Sequence, residues 1–401
     1  MKSAATPTFL TGNRLQLLES GREYFPALLA ELQAATREIL LETYIFADDA
    51  AGRAVALALE AAARRGVVVR VLVDGFGARH FPQTFGRMLT AAGGHWRLYR
   101  REIARFSLSR HRLRRLHRKI VVVDGRIAFV GGINIADDAT PLGADLPGYD
   151  YAVRLEGALV AVIQKEAAKM WGFLHMGLRG GLLPSHSFPI PAPAESARRE
   201  APDPVPLRLE NVRAAFLLRD NLRHRRDIAQ AYLRAIRSAR HAILIANAYF
   251  LPGFHFRRAL REAARRGVVV TVLLQGASDH PLVRYATQGL YAELLAEGVR
   301  IFEYRQGFLH AKVAVTDGHW ATVGSSNIDP FSLLLAREAN LVIEDSAFAA
   351  HLESCLRAAM AAGACELTCD ALARQPLWQR LLRRASHALA RFLLSFSGYG
   401  L

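Results

Sequence analysis

Residues 116–134 read LHRKIVVVDGRIAFVGGIN, and residues 309–327 read LHAKVAVTDGHWATVGSSN. Each segment carries a His, a Lys two residues on, an Asp seven on and an Asn seventeen on. The first set is His117, Lys119, Asp124 and Asn134; the second is His310, Lys312, Asp317 and Asn327. An imidazole can attack phosphorus or carry a proton, while an ammonium and an amide can hold charge on non-bridging oxygens. One copy therefore supplies half of what a phosphodiester needs. Two copies facing each other across a pseudo-twofold axis would supply an attacking His and a second His for the leaving oxygen. A single His in a strand is ordinarily structural. A cationic Lys in an apolar strand, however, is costly without an anionic partner, and here the pair is present twice.

The elements that must position these groups are themselves duplicated. Residues 61–75, AAARRGVVVRVLVDG, match residues 262–276, EAARRGVVVTVLLQG, and REILLETYIF (37–46) resembles RHAILIANAYF (240–250). In each half an amphipathic helix ending in Arg-Arg-Gly leads into a short β-branched run, which suits a strand covered on both faces. The alternation of helices and strands predicts an α/β fold. It comprises two pseudo-twofold related α/β/α sandwich domains whose mixed β-sheets are flanked by helices. Strand periodicity places His117, Lys119 and Val121 on one face. Asp124-Gly125 reads as a hairpin turn, and Gly131-Gly132, like Gly324-Ser325, lets a ligand approach the backbone. Seven prolines in 182–206 mark a linker. The predicted domains are thus 1–181 and 207–370, followed by a tail, 371–401.

The pattern His-x-Lys-x4-Asp-x6-Gly-(Gly/Ser)-x-Asn, present twice, resembles the phospholipase D superfamily. More narrowly, LHRKIVVVDGRIAFVGGIN, GYDYAVRLEG (148–157), IANAYFLPG (245–253) and HWATVGSSNIDP (319–330) resemble bacterial cardiolipin synthases of type B. The resemblance runs over most of the chain and is weakest in the linker and the last thirty residues. It implies a two-step phosphatidyl transfer from one phosphatidylglycerol to another through a phosphohistidine, with no metal or other cofactor. His117, Lys119 and Asp124 would form one half-site and His310, Lys312 and Asp317 the other. Asn134, Asn327 and Ser325 would hold the phosphate, and Asp150 and Glu338 would stand behind the histidines. By the same resemblance His117 is the nucleophile and His310 the general acid. Asp124 and Asp317, being at turns, are expected to support the motif more than to touch substrate.

Composition agrees with an anionic partner. The formal charge is +16 over 401 residues, with 51% hydrophobic content, so polyanions such as an anionic membrane or nucleic acid are natural partners. Residues 100–119 carry eight Arg with Phe106, Leu108 and Leu113 among them. Residues 376–396 place Leu377, Leu381, Ala385, Leu389, Phe392 and Phe396 along one helical face with Arg elsewhere, which suits peripheral anchoring. Such an anchor could equally pack on the protein. The N-terminus lacks the apolar core of a signal peptide, and no stretch is long enough to span a bilayer. The expectation is a peripheral enzyme on the cytoplasmic side of the bacterial cell membrane, acting on phosphatidylglycerol and other anionic phospholipids, with nucleic acid not the expected partner. One chain suffices for one site, which leaves the oligomeric state open. Cys355, Cys365 and Cys369 read as ordinary thiols. A phosphodiesterase or nuclease of the same superfamily is the competing enzyme, and a non-catalytic lipid- or nucleic-acid-binding module is the competing non-enzyme. The match outside the motifs speaks against the nuclease, and two intact His-Lys pairs speak against the module.

Overall fold

A computed structural model of the chain describes residues 7–100, 114–137, 147–177, 207–276 and 281–374. The linker 182–206, the helix expected over 376–396 and most of the basic segment 100–119 lie outside the described residues.

In the N-terminal half the strands are β1 (Leu10–Glu19), β2 (Glu38–Thr43), β3 (Val68–Asp74), β4 (His95–Tyr99), β5 (Lys119–Val123), β6 (Ile127–Gly131), β7 (Gly148–Tyr149) and β8 (Tyr151–Glu156). The C-terminal half contains β9 (Arg208–Arg219), β10 (Ala242–Asn247), β11 (Val269–Gln275), β12 (Arg300–Tyr304), β13 (Phe308–Leu309), β14 (Lys312–Thr316), β15 (Trp320–Gly324), β16 (Glu338–Glu344) and β17 (Ala364–Leu367). The helices are α1 (Ser20–Ala34), α2 (Ala50–Arg64), α3 (Arg87–Ala91), α4 (Ala158–Gly177), α5 (Asp227–Ser238), α6 (Phe254–Arg265), α7 (Pro281–Ala296), α8 (Pro330–Leu334), α9 (Ser346–Gly363) and α10 (Cys369–Ala373).

Fifteen strands form one mixed sheet, in the order β17-β12-β11-β10-β14-β15-β16-β9-β1-β8-β6-β5-β2-β3-β4. The order reads nearly the same from either end, as the sequence repeat requires. The two halves do not carry separate sheets, because β1 and β9 pair antiparallel and join them edge to edge, with Gln16 opposite Arg208. This pairing removes the two exposed edges that separate domains would have carried. On one face α4 and α9 share a single core, where Ile163 and Leu352 pack with Val122, Val153, Val313 and Leu341. The opposite face holds two cores, one under α1 and α2 and one under α5 and α6. Fully burying a Val, Leu or Ile contributes about 1.5–3 kcal/mol, so the shared layer holds the halves in fixed register.

Strand direction gathers the polar motifs at one edge of the sheet. β5 runs antiparallel to β2, and β14 antiparallel to β10. The start of β5 and β14 therefore lies beside the carboxyl ends of β2, β3, β10 and β11. The hairpins β5–β6 and β14–β15 bring Gly131 and Gly324 back to the same edge, opposite Lys119 and beside Asn340 respectively. At the far ends of these hairpins, Asp124 and Asp317 adopt φ of 55° and 51° and their following glycines 66° and 61°, the left-handed pair a tight hairpin turn needs.

Candidate active site

The two His-x-Lys segments leave the sheet just before β5 and β14. The expected strand over His117 therefore begins only at Lys119, and the residues before it cross to the other half. Leu116 bridges to Arg337, and His117 N donates to the Arg337 carbonyl at 2.9 Å. On the other side β13 pairs in parallel with β7, and His310 N donates to the Tyr149 carbonyl at 2.8 Å. Each His is thus laid against the residue that precedes a carboxylate of the opposite half.

This crossing decides which acid serves which base. His117 Nδ1 lies 3.0 Å from Glu338 Oε2, and His310 Nδ1 lies 2.7 Å from Asp150 Oδ2. Lys312 Nζ also comes within 2.7 Å of His310 Nδ1 and 3.3 Å of Asp150 Oδ2. One ring nitrogen cannot both donate to the carboxylate and accept from the ammonium, and the ionised Asp150 fixes the proton on Nδ1. Nε2 of each ring is then the nitrogen left for chemistry. Lys119 Nζ donates to the His117 carbonyl at 2.6 Å, and Lys312 Nζ makes the matching bond to the His310 carbonyl. Both lysines are nearly or fully buried.

The carboxylates are held by their own halves. Asp150 accepts from Tyr151 N at 2.8 Å and occupies the space where a Cβ of Gly132 would sit. Glu338, one methylene longer, instead receives the Ser325 hydroxyl at 2.5 Å. This corrects the expectation that Ser325 binds phosphate: its side chain is completely buried and committed to Glu338 and to the Ala339 backbone. Asp124 and Asp317, grouped with the catalytic residues on sequence, sit at the opposite end of the five-residue strands, roughly 16 Å of chain away. Their carboxylates accept backbone N–H groups, from Thr36, Arg37 and Glu38 in one half and from Arg240, His241 and Ala242 in the other. They clamp the turn and do not reach the pocket. Asn134 and Asn327 are at the site edge. Each accepts with Oδ1 from a backbone N–H, of Ile45 at 3.2 Å and Tyr249 at 3.4 Å, which turns each NH2 group the other way.

Sequence reading passed over two residues that matter for aim. Asp74 ends β3 and Gln275 ends β11, at equivalent positions of the repeat. Asp74 Oδ2 accepts from Leu116 N at 2.9 Å, and Gln275 Oε1 accepts from Leu309 N at 2.5 Å. Each therefore fixes the residue before the His of a His-x-Lys pair. Their signal was present in the aligned VLVDG and VLLQG, where a polar residue closes an apolar strand. Tyr44 was also missed; its ring lies 5.0 Å from that of His117 and 5.5 Å from Lys119 Nζ. Its counterpart in the other half is Ala248, so no signal in the repeat could have marked it.

Burial sets the electrostatics. His117 is lowered from its ordinary pKa first by desolvation, against the pull of Glu338 and with the push of Lys119 and Lys312. Desolvation and then Lys312 lower His310 to about 4. Lys119 falls to about 7, chiefly by burial, with Lys312 adding repulsion. Burial alone would raise Asp150 and Glu338, but Lys312 beside Asp150 and His117 beside Glu338, with their hydrogen bonds, hold both below the usual range. Lys312 acts on His117 and Lys119 acts on His310, so the two half-sites share one field. Two ammonium groups crowd a space that wants an anion.

An entering phosphodiester would favour the protonated form of Lys119, so anion binding is linked to proton uptake. Affinity for a water-soluble dialkyl phosphodiester, whose own charge is constant, should be greater on the acid side of pH 7 than on the alkaline side. It should fall by up to about tenfold per unit as pH rises through 7. Calorimetric titration between pH 6 and 9 measures this, and a flat profile would contradict the buried ammonium. Among the described residues no cluster of three or more His, Cys, Asp or Glu is placed to hold a metal ion.

A duplicated α/β chain with two His-x-Lys pairs at one edge of a shared sheet, each His against a carboxylate of the other half, is of the phospholipase D-like class. The fold is shared with the phosphatidylserine synthase of Haemophilus influenzae Rd KW20. That match has a TM-score of 0.66 at 12% identity and covers 96% of this chain and 94% of the other. The polyphosphate kinase of Porphyromonas gingivalis shares it more distantly, with a TM-score of 0.57 at 16% identity, covering 94% of this chain and 53% of that one. In sequence, the family described as "Cardiolipin synthase, PLD-like domain" matches residues 28–171 and 232–359. Cardiolipin synthase B of Escherichia coli (strain K12) is 40% identical over 392 residues, which is 95% of this chain and 89% of the relative. The major cardiolipin synthase ClsA of Bacillus subtilis (strain 168) is 31% identical over 387 residues, covering 96% and 76%. The chain belongs to the PLD-like cardiolipin synthase family, and is a phosphatidyltransferase.

Proposed function

We propose that this enzyme makes cardiolipin by moving a phosphatidyl group from one phosphatidylglycerol to the hydroxyl of another, through a phosphohistidine. His117 Nε2 attacks phosphorus, the bond from phosphorus to the glycerol oxygen breaks, and His310 gives that oxygen a proton as glycerol leaves. The terminal hydroxyl of a second phosphatidylglycerol then attacks phosphorus and passes its proton to His310. The phosphorus–nitrogen bond breaks, and cardiolipin and free His117 result. Lys119, Lys312 and the amides of Asn134 and Asn327 hold the non-bridging oxygens. Glu338 and Asp150 fix each ring with Nε2 presented, and stabilise the charge it gains.

The observation that carries this reading is the crossed pairing of His117 with Glu338 and His310 with Asp150 around two buried ammonium groups. Burial and the charge of Lys312 hold the pKa of His310 down, and a substrate anion that offsets that charge raises it, so that the imidazole can carry the proton it gives. The relatives named cardiolipin synthases support the product, and the charge of +16 supports anionic lipid as substrate. No helix among the described residues is long and apolar enough to cross a membrane, so we propose that the enzyme meets lipid from one side, the cytoplasmic one.

Purified enzyme incubated with phosphatidylglycerol vesicles and no added metal should release free glycerol and cardiolipin in equal amounts. Phosphatidic acid as the sole product would make the enzyme a hydrolase and overturn the proposal. Quenching with denaturant at neutral pH, which spares the acid-labile phosphorus–nitrogen bond, followed by peptide mass spectrometry should find the phosphatidyl adduct on His117. An adduct on His310 would reverse the two roles.

A further inference from the structure

Of the ten large apolar side chains exposed to solvent among the described residues, six mark the two strand-end edges of the sheet, and Leu57, Val162, Leu207 and Phe254 are the others. Val68 and Val269 begin β3 and β11, at the edge away from the site. Phe76, Leu222 and Phe331 lie at the site edge, with exposures of 54%, 70% and 53%, and Phe173 of α4 joins them at 51%. Chain direction fixes this placement. Phe76 follows Asp74 at the end of β3; Leu222 follows Arg219, which pairs with Glu338; Phe331 stands four residues after Asn327.

These residues sit around the crossing that builds the pocket. The Arg115 guanidinium lies 5.4 Å from the Phe76 ring, and that of Arg337 lies 5.7 Å from the Phe173 ring. Arg337 N donates in turn to the Arg115 carbonyl. The loop bearing Leu222 is tied to the chain just after Phe331 by a bond from Asn221 Nδ2 to the Leu335 carbonyl at 3.1 Å. Asp220 shapes that loop by accepting from the N–H groups of Leu222, Arg223 and His224, which sets the leucine at its tip. Arg223, Arg225 and Arg226 flank it and are exposed. Apolar tips interleaved with arginine are what an anionic lipid interface accepts, the arginine heads lying at the headgroups and the rings below them.

We infer that Phe76, Phe173, Leu222 and Phe331 form a collar around the pocket mouth that enters the surface of an anionic bilayer and seats the site over lipid headgroups. This rests on the proposed lipid substrate and names the surface through which it is reached. A folded side chain buried in a core would not tolerate charge, but these side chains already face water, so placing a carboxylate there should leave the fold intact.

The test uses the full-length enzyme and its Leu222→Glu/Phe331→Glu variant, with vesicles of phosphatidylglycerol in phosphatidylcholine and with short-chain phosphatidylglycerol below its micellar concentration. The variant should sediment with vesicles at least tenfold less and turn over vesicle lipid correspondingly more slowly. Turnover of the monomeric short-chain lipid should stay within twofold. Conversely, Leu222→Trp should strengthen vesicle binding and add tryptophan fluorescence that brominated acyl chains quench. Undiminished sedimentation of the glutamate variant, or no added quenching in the tryptophan variant, overturns the collar. A wild-type enzyme that binds vesicles through these residues yet turns over neither lipid would leave the collar standing and overturn the proposed reaction.

Discussion

Alanine in place of His117 should lower cardiolipin formation on the order of 10⁴-fold or more, because the reaction loses its nucleophile. His310→Ala should cost about 10²–10⁴-fold, the range of a positioned acid–base group. The readout is cardiolipin formed per folded enzyme, with circular dichroism showing that each variant is folded. The two losses should not multiply, since both rings serve one phosphorus atom. A double variant no slower than the worse single one is the expected result. Substantial transfer surviving in either single variant would mean two separate sites, against the shared field in which each His feels the Lys of the other half.

Glu338→Gln and Asp150→Asn should each lower turnover by about 10²–10⁴-fold, as loss of the charge behind a catalytic imidazole does. The informative quantity is which pairs couple. Glu338 lies 3.0 Å from His117 across 221 positions of sequence, and Asp150 lies 2.7 Å from His310 across 160. In a double-mutant cycle, Glu338→Gln should add almost nothing to His117→Ala, and Asp150→Asn almost nothing to His310→Ala. The imidazole NMR signals of the single carboxylate variants should agree: Glu338→Gln should move the Nδ1 proton of His117 and spare that of His310. Coupling within each half would contradict the crossed geometry. Asp150→Asn should also lower stability, because removing one partner of a buried ion pair strands the other, here Lys312, at about 3–5 kcal/mol. Asp150 faces Lys312 as well as His310, so its variant should be the less stable.

What could be read from the chain was what repeats at short range. The hairpins follow from Asp124-Gly125 and Asp317-Gly318, and the pocket lysines from two cations placed in apolar strands. The α/β alternation follows from runs such as VVVRVLV. What could not be read depends on partners far apart in sequence. Nothing near His117 announces Glu338, and the edge pairing of β1 with β9 joins segments about 200 residues apart. Ser325 was misplaced for a related reason. A Gly-Ser step beside a motif reads equally as a phosphate cradle or as a support for a carboxylate, and only the extra methylene of Glu338 distinguishes them. Asp74 and Gln275 were open to reading, since each caps a matched apolar run, but a single polar residue there is unremarkable until its acceptor role is seen.

The exchange of carboxylates bears on how such a chain can change by descent. Gly132 leaves room for the short acid, Asp150, and Ser325 braces the long one, Glu338, so each half has settled on its own reach. Yet each acid works on the imidazole of the other half. A recombination that replaced one half with that of a diverged cousin would import an acid fitted to a foreign histidine. The two halves must therefore be inherited, and altered, together.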